Sequence, residues 1–189
     1  LSGFPEPEAV LVLVAGKRPK QVLFCREKNE EREIWDGYRY GPRAAREQFG
    51  FDAAYPIAEL DKRLPRLLEN QPRVCYPFGA DAAWDARVMG WINVVRGKAR
   101  AGIGAPGGII DAHALIDEMR LVKDTHEVEL LQRAADISAE AHRAALRACR
   151  PGLGEWQIEA ELLRAFRHGG CQAPAYPPIV AGGAHACVL

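Results

Sequence analysis

Between Asp124 and Cys149 apolar side chains return every three or four residues. Leu130, Ala134, Ile137, Ala141 and Ala145 fall on one stripe, as a helix with one buried face requires. Its start is marked by Asp124-Thr125-His126-Glu127. Asp124 can accept the Glu127 N–H while Glu127 reaches back to the Asp124 N–H, a reciprocal capping box. The preceding run Met119–Lys123 reads as extended. A second helix is expected over 155–168, with Ile158 and Leu162 toward a core and Glu155, Glu159 and Glu161 as solvent-facing charges. A Pro-rich turn follows (Pro174, Pro177, Pro178). The apolar run that closes the chain, Ala186 to Leu189, predicts the beginning of a sheet.

The front of the chain has a different rhythm. Two β-rich runs, 8–14 and 20–26, flank Ala15-Gly16-Lys17-Arg18-Pro19 and predict a hairpin. Glu33–Trp35 reads as a strand end. Gly41-Pro42 opens a short helix, with proline where its missing N–H costs nothing. Leu60, Leu64, Leu67 and Leu68 mark another helix, in which Pro65 should cause a kink or delay the start. Arg73–Tyr76 is a short strand. An amphipathic helix over 80–95 carries Trp84, Val88, Trp91 or Ile92, and Val95 on one face, and Gly97 ends it. A Gly-rich loop spans 100–110, and Asp111 caps a short helix over 112–118. Strands and helices thus alternate to about Asp117, the pattern of an α/β domain.

Composition narrows the class. Of 189 residues 48% are hydrophobic, enough for a buried core, and 25 basic residues balance 25 acidic ones. Zero net charge gives no basic excess for a sequence-independent grip on nucleic acid or an anionic membrane. No apolar run approaches the ~20 residues of a membrane span. Cys25, Cys75, Cys149, Cys171 and Cys187 are scattered, which reads as free thiols in a reducing compartment, most of them buried as small hydrophobes. The chain opens without an initiator methionine and closes on a strand-like run, so a fragment of a longer protein is expected.

Three motifs fail on context. Gly102-x-Gly104-x-x-Gly107 matches a dinucleotide fingerprint by letter, but a helix precedes it where a strand is needed, and Pro106 lies inside it. His126-Glu127-Val128-Glu129-Leu130 lacks the second histidine of a zinc helix. Ser2, Ser138 and the cysteines have no nucleophile context. His113, His142, His168 and His185 show no ligand spacing. His142 reads as a solvated face residue, His168 as a helix C-terminus and His185 as a loop residue beside a strand.

The block Met119-Arg120-x-x-Lys123, the capped helix with Glu-x-x-x-Leu-x-x-Ala-x-x-Ile, then Arg150-Pro151-Gly152, Tyr176 and Ile179-Val180-Ala181-Gly182-Gly183 together resemble the entry to the pita-bread domain of aminopeptidase P and prolidase. Gly3-Phe4-Pro5-Glu6-Pro7-Glu8-Ala9 and Glu33-Ile34-Trp35-x-Gly37 resemble the amino-terminal domain of aminopeptidase P in particular. The resemblance implies a creatinase/prolidase-like amino-terminal α/β domain over 1–117, followed over 118–189 by the first helices and strand of an α+β pita-bread domain.

It further implies a metal-dependent hydrolase that cleaves the amino-terminal peptide bond before a proline. Its cofactors would be two divalent ions, manganese by implication, about 3.5–4 Å apart and sharing a hydroxide. In the family their ligands come later in the polypeptide than this chain extends, so no metal or catalytic residue is expected here and the chain alone should be inactive. Substrate-binding roles are implied for Trp35, Arg100 and Tyr176. By residue type alone, Trp35 reads as a core or hairpin aromatic, and Arg100 reads equally as a surface loop arginine. The expected partners are peptides with proline second and further copies in a homo-oligomer, with no nucleic acid and no membrane, in the cytoplasm. A prolidase or creatinase relative and a non-catalytic binding module are the alternatives.

Overall fold

The computed structural model describes residues 3–188. The chain divides after Asp117 into two units. In the front unit β1 (Val10–Val14) pairs antiparallel with β2 (Lys20–Cys25), Val12 opposite Val22 and Leu11 opposite Leu23, which is the expected hairpin. β3 (Ala53–Pro56) joins the other edge of β2 in parallel, Leu23 opposite Ala54, so β2 is central. A parallel neighbour requires a crossover, and α1 (Glu30–Asp36) with α2 (Gly41–Phe49) supplies it.

Successive side chains of β2 point to opposite faces, and both faces are covered. Val22 and Phe24 enter one cluster with Leu60, Leu64 and Leu68 of α3 (Leu60–Leu68) and with Val88, Trp91, Ile92 and Val95 of α4 (Ala82–Arg96). Leu23 and Cys25 enter a second cluster with Ala45 of α2 and Phe51. A smaller sheet pairs β4 (Arg73–Tyr76) in parallel with β5 (Gly108–Asp111), Val74 opposite Ile109.

Several expectations are corrected. Glu33–Trp35 is helical, not a strand end. Asn29 caps α1 by accepting the Arg32 N–H at 3.0 Å, and three glutamates in the first turn suit the helix dipole. Pro65 does not delay α3, which starts at Leu60 behind a 3-10 turn, Ile57–Glu59. The loop over 100–110 contains a 3-10 turn (Ala99–Ala101) and the start of β5, where pairing with β4 overrides the weak strand preference of glycine. The helix after Asp111, α5 (Ala112–Leu121), takes in Met119, Arg120 and Leu121 of the run expected to be extended.

In the rear unit α6 (Thr125–Ala148) begins with the expected box: Asp124 Oδ1 accepts the Glu127 N–H at 2.8 Å, and the Asp124 N–H reaches Glu127 Oε2 at 2.9 Å. α7 (Glu155–His168) folds back on it. The helices come so close at the end of α7 that a Cβ on Gly169 would lie 2.8 Å from Ile137 Cγ2. Only the far half of the α6 stripe is covered. Ala141 and Ala145 are buried and Ile137 is half-buried, whereas Leu130 and Ala134 are exposed.

The expected sheet is absent among the described residues after α7. Gly183–Cys187 forms a 3-10 turn whose backbone is satisfied locally, His185 N to Gly182 O at 3.2 Å and Val188 N to His185 O at 3.0 Å. Leu189, the last residue of that expected strand, lies outside the described residues. The thiols correct a further expectation. Cys25 is buried and Cys171 half-buried, but Cys75, Cys149 and Cys187 are exposed. No described helix is long and apolar enough to cross a membrane.

Candidate functional site

α1 buries no side chain. It is held instead by charge. Lys28 Nζ lies 2.8 Å from Glu33 Oε2, 3.3 Å from the Arg39 carbonyl and 4.0 Å from the centre of the Tyr38 ring. The hydrogen bond from Lys28 pulls the Glu33 carboxyl below its ordinary range, and the same bond raises the Lys28 ammonium. Arg39 pairs with Asp36 at the helix end. Behind this helix Glu6 accepts from Arg26 Nη2 at 3.1 Å and from the Tyr40 N–H. Among its exposed charges α1 leaves two large apolar side chains to solvent: Ile34 is 80% and Trp35 84% exposed. Trp35 is therefore neither a core nor a hairpin aromatic. It stands in the last turn of a short helix closed by Gly37 at φ 80°.

Arg100 is the middle residue of the 3-10 turn after α4 and is exposed. The segment around it is pinned to the end of α3. Lys98 Nζ meets Glu69 Oε1 at 2.6 Å, and Asn70 holds Gly104 twice, through its N–H to the Gly104 carbonyl at 2.8 Å and through Oδ1 to the Gly104 N–H at 2.9 Å. Among the described residues no hydrogen bond or ring contact joins Trp35 to Arg100.

Tyr176 belongs to the rear unit. It is 72% exposed in the loop that follows α7, between Pro174 and Pro177. The same loop contains an arrangement that sequence reading missed. Glu155 is not a free surface charge: its Oε1 accepts the Gly182 N–H at 2.8 Å and lies 2.9 Å from His185 Nδ1. These bonds, the Gly182 amide first, hold its carboxyl below the ordinary range. The partners are 27 and 30 residues away in sequence, so no local pattern could signal them.

The chemistry these residues offer is binding and orientation. Among the described residues no group of three or more His, Cys, Asp or Glu side chains is placed to hold a metal ion. Burial pushes the Cys25 thiol up to about 11, so it keeps its proton at neutral pH and is no nucleophile. The groove between α6 and α7 is lined by Glu140, Arg147 and Arg164, and their charges are already paired: Arg147 with Glu140 at 2.6 Å and Arg164 with Glu161 at 2.9 Å.

Comparison with known proteins agrees along the whole chain. Residues 1–76 match the family model of the aminopeptidase P amino-terminal domain, and residues 129–189 match that of metallopeptidase family M24. The Xaa-Pro aminopeptidase of Escherichia coli K12 is 37% identical over 190 residues, which cover 100% of this chain and 43% of that protein. The structure of Pseudomonas aeruginosa aminopeptidase PepP superposes with a TM-score of 0.95 at 48% identity, covering 100% of this chain and 43% of that one. Proline aminopeptidase P II from Yersinia pestis superposes with a TM-score of 0.94 at 38% identity, covering 100% and 44%. The chain thus spans less than half the length of the relatives it matches. Its strands and helices are those of the amino-terminal domain and the opening of the pita-bread domain in these structures. With both family models met in order and solved aminopeptidase P structures superposing from end to end, the chain is similar throughout to the front part of aminopeptidase P, and its rear part matches metallopeptidase family M24.

Proposed function

We propose that this chain is the front part of an Xaa-Pro aminopeptidase, which removes the first residue of peptides whose second residue is proline. The observation that carries the reading is whole-chain likeness to an aminopeptidase structure at 48% identity. In this reading the boundary after Asp117 separates the amino-terminal domain from the start of the catalytic domain. The intact protein uses two divalent ions, manganese by preference because hard oxygen ligands suit it. It works as a homo-oligomer in the cytoplasm. Metals supply an activated water in such enzymes. The residues of this chain hold the peptide.

Trp35, Arg100 and Tyr176 are the substrate-binding residues in this proposal. Each is exposed and each offers a complementary surface; Trp35 and Arg100 sit on short helical elements and Tyr176 on the loop after α7. The indole and the phenol present broad apolar faces to a proline ring or peptide backbone. The guanidinium presents donors to carbonyl oxygens or a carboxylate.

The test uses the full-length protein, with a tripeptide carrying proline second set against an Xaa-Pro dipeptide. Cleavage of the tripeptide before proline, abolished by chelation and restored by manganese, is expected. Cleavage of the dipeptide alone would assign the protein to the prolidases, and no cleavage of either with metal bound would reduce it to a binding module. Trp35→Ala should lower kcat/KM on longer peptides about tenfold without lowering Tm, the cost of one lost aromatic anchor. Unchanged kinetics would remove Trp35 from the site.

A further inference from the structure

The loop after α7 is tied to that helix at two points. Near its start, Arg167 donates from Nη1 to the Cys171 carbonyl at 3.3 Å and to the Gln172 carbonyl. Near its end, Glu155 takes Gly182 and His185. Arg167 lies in the last turn of α7 and Glu155 in the first. Twelve helical steps separate them, about 18 Å along the axis. The ten steps from Gln172 to Gly182 can reach about 33 Å when extended. The segment therefore runs back along its own helix as an arch with slack, and Tyr176 stands on it. A slack arch keeps a defined shape only while both ends are fixed.

The ends are not equivalent. The Arg167 tie closes four and five residues, a helix-terminus contact that forms wherever α7 forms. The Glu155 tie closes 27 and 30 residues and rests on one carboxylate oxygen. A carboxylate accepts only, so the His185 ring must carry its proton on Nδ1 to bond there. The Glu155 side chain is 37% exposed and the His185 side chain 77%, so little packing backs the tie.

From this geometry we infer that Glu155 is a positioning residue. Its carboxylate fixes the Gly182–His185 turn and so holds the arch that presents Tyr176 to the peptide. The inference rests on the reading of Tyr176 as a substrate-binding residue given above, and it goes beyond that reading by naming the group that sets its place. Glu155 itself touches no substrate.

The experiment compares full-length enzyme with Glu155→Ala, Glu155→Gln and Tyr176→Ala, measuring KM and kcat on a tripeptide with proline second and hydrogen exchange over residues 173–188. Glu155→Ala should expose the Gly182 amide to exchange and raise KM about tenfold, the scale of one charge-assisted hydrogen bond, with kcat changed less than about twofold. Glu155→Gln keeps an acceptor oxygen, so it should restore most of the protection and bring KM to within about threefold of the parent. Exchange unchanged in Glu155→Ala would overturn the tie. Exchange lost with KM unchanged would overturn its positioning role. If Glu155→Ala fails to fold, Glu155→Gln and His185→Ala decide. His185→Ala removes one of the two bonds and should raise both readouts by a smaller factor, and no change in either would count against the proposal. Failure of the underlying reading looks different: Tyr176→Ala would leave KM unchanged, or the unmutated enzyme would not cleave the tripeptide at all.

Discussion

The two units of this chain use their apolar residues in opposite ways. In the front unit Phe24, Cys25, Leu60 and Val95 are wholly shielded from solvent, and β2 is covered on both faces. Among the described residues of the rear unit the only buried ones are two alanines, Ala141 and Ala145, while Leu130, Leu131, Leu146 and Trp156 are each more than half exposed. Burial at about 25 cal/mol per Å² is what offsets the entropy of ordering a chain. The front unit therefore contains the source of its own stability. The rear unit contains well-capped helices whose apolar stripe has yet to be covered. Regular secondary structure and a self-sufficient core are separate properties, and this chain keeps them in separate places.

The sharpest way to break that contrast is to separate the units. Residues 1–117 alone should unfold in one cooperative transition. Residues 118–189 alone should show partial helicity from α6 and α7 with no cooperative melt, because capping and i,i+4 pairs stabilise a helix only marginally without tertiary packing. Circular dichroism during heating reads both. A cooperative, concentration-independent melt of residues 118–189 would dissolve the distinction.

A smaller effect tests where the front unit keeps its stability. Phe24→Ala should cost about 3–5 kcal/mol in denaturant unfolding of residues 1–117, the usual range for a fully buried phenylalanine. A substitution on the rear stripe such as Leu130→Ala, measured by denaturant unfolding of residues 1–189 beside Phe24→Ala, should stay within about 0.5 kcal/mol, as for other exposed positions. Equal costs at the two sites would mean that the stripe is covered after all.

The same contrast governs what could be read from sequence. The hairpin, α4 and the capping box of α6 were legible because each rests on neighbours in the chain: alternation, a 3.6-residue stripe, and a donor and acceptor three residues apart. The strand β5 was not legible, since Gly107-Gly108 argues against a strand and only the partner β4 makes one. The short helix α1 was missed for a different reason. The pair Ile34-Trp35 is β-prone and read as a strand end, whereas the Asn29 cap makes it helical and the tie through Lys28 is a tertiary contact. At the candidate site Trp35, Arg100 and Tyr176 came from motif resemblance; a surface position was legible for Arg100 from its loop, and the fold adds the exposure of Trp35 and Tyr176 as numbers. Glu155 shows the limit most clearly. A glutamate in the first turn of a helix has a sufficient local explanation, and nothing nearby announces a partner 30 residues on.

The smallest effect refines the comparison, because α1 is a part of the front unit that behaves like the rear. It has no buried side chain and depends on the Lys28–Glu33 pair. Glu33 is depressed in the folded chain, mainly by its bond from Lys28, so its contribution is present above the ordinary carboxylate range and is lost as pH falls through the folded value. Lys28 is raised, mainly by its bond to Glu33, so its contribution is present below the ordinary ammonium range and is lost as pH rises through the folded value. The hold on α1 should thus be flat from about pH 5 to 10 and weaken on both sides. The Gly37 N–H, which bonds the Glu33 carbonyl at 3.1 Å, reports it. Its exchange protection factor should fall as pH drops below the ordinary carboxylate range while that of the Leu23 amide in β2 stays constant. Lys28→Met should lower the protection of Gly37 at neutral pH and flatten its pH dependence. If Gly37 and Leu23 lose protection together, α1 is fastened by the core after all, and the front unit is uniform where this reading makes it divided.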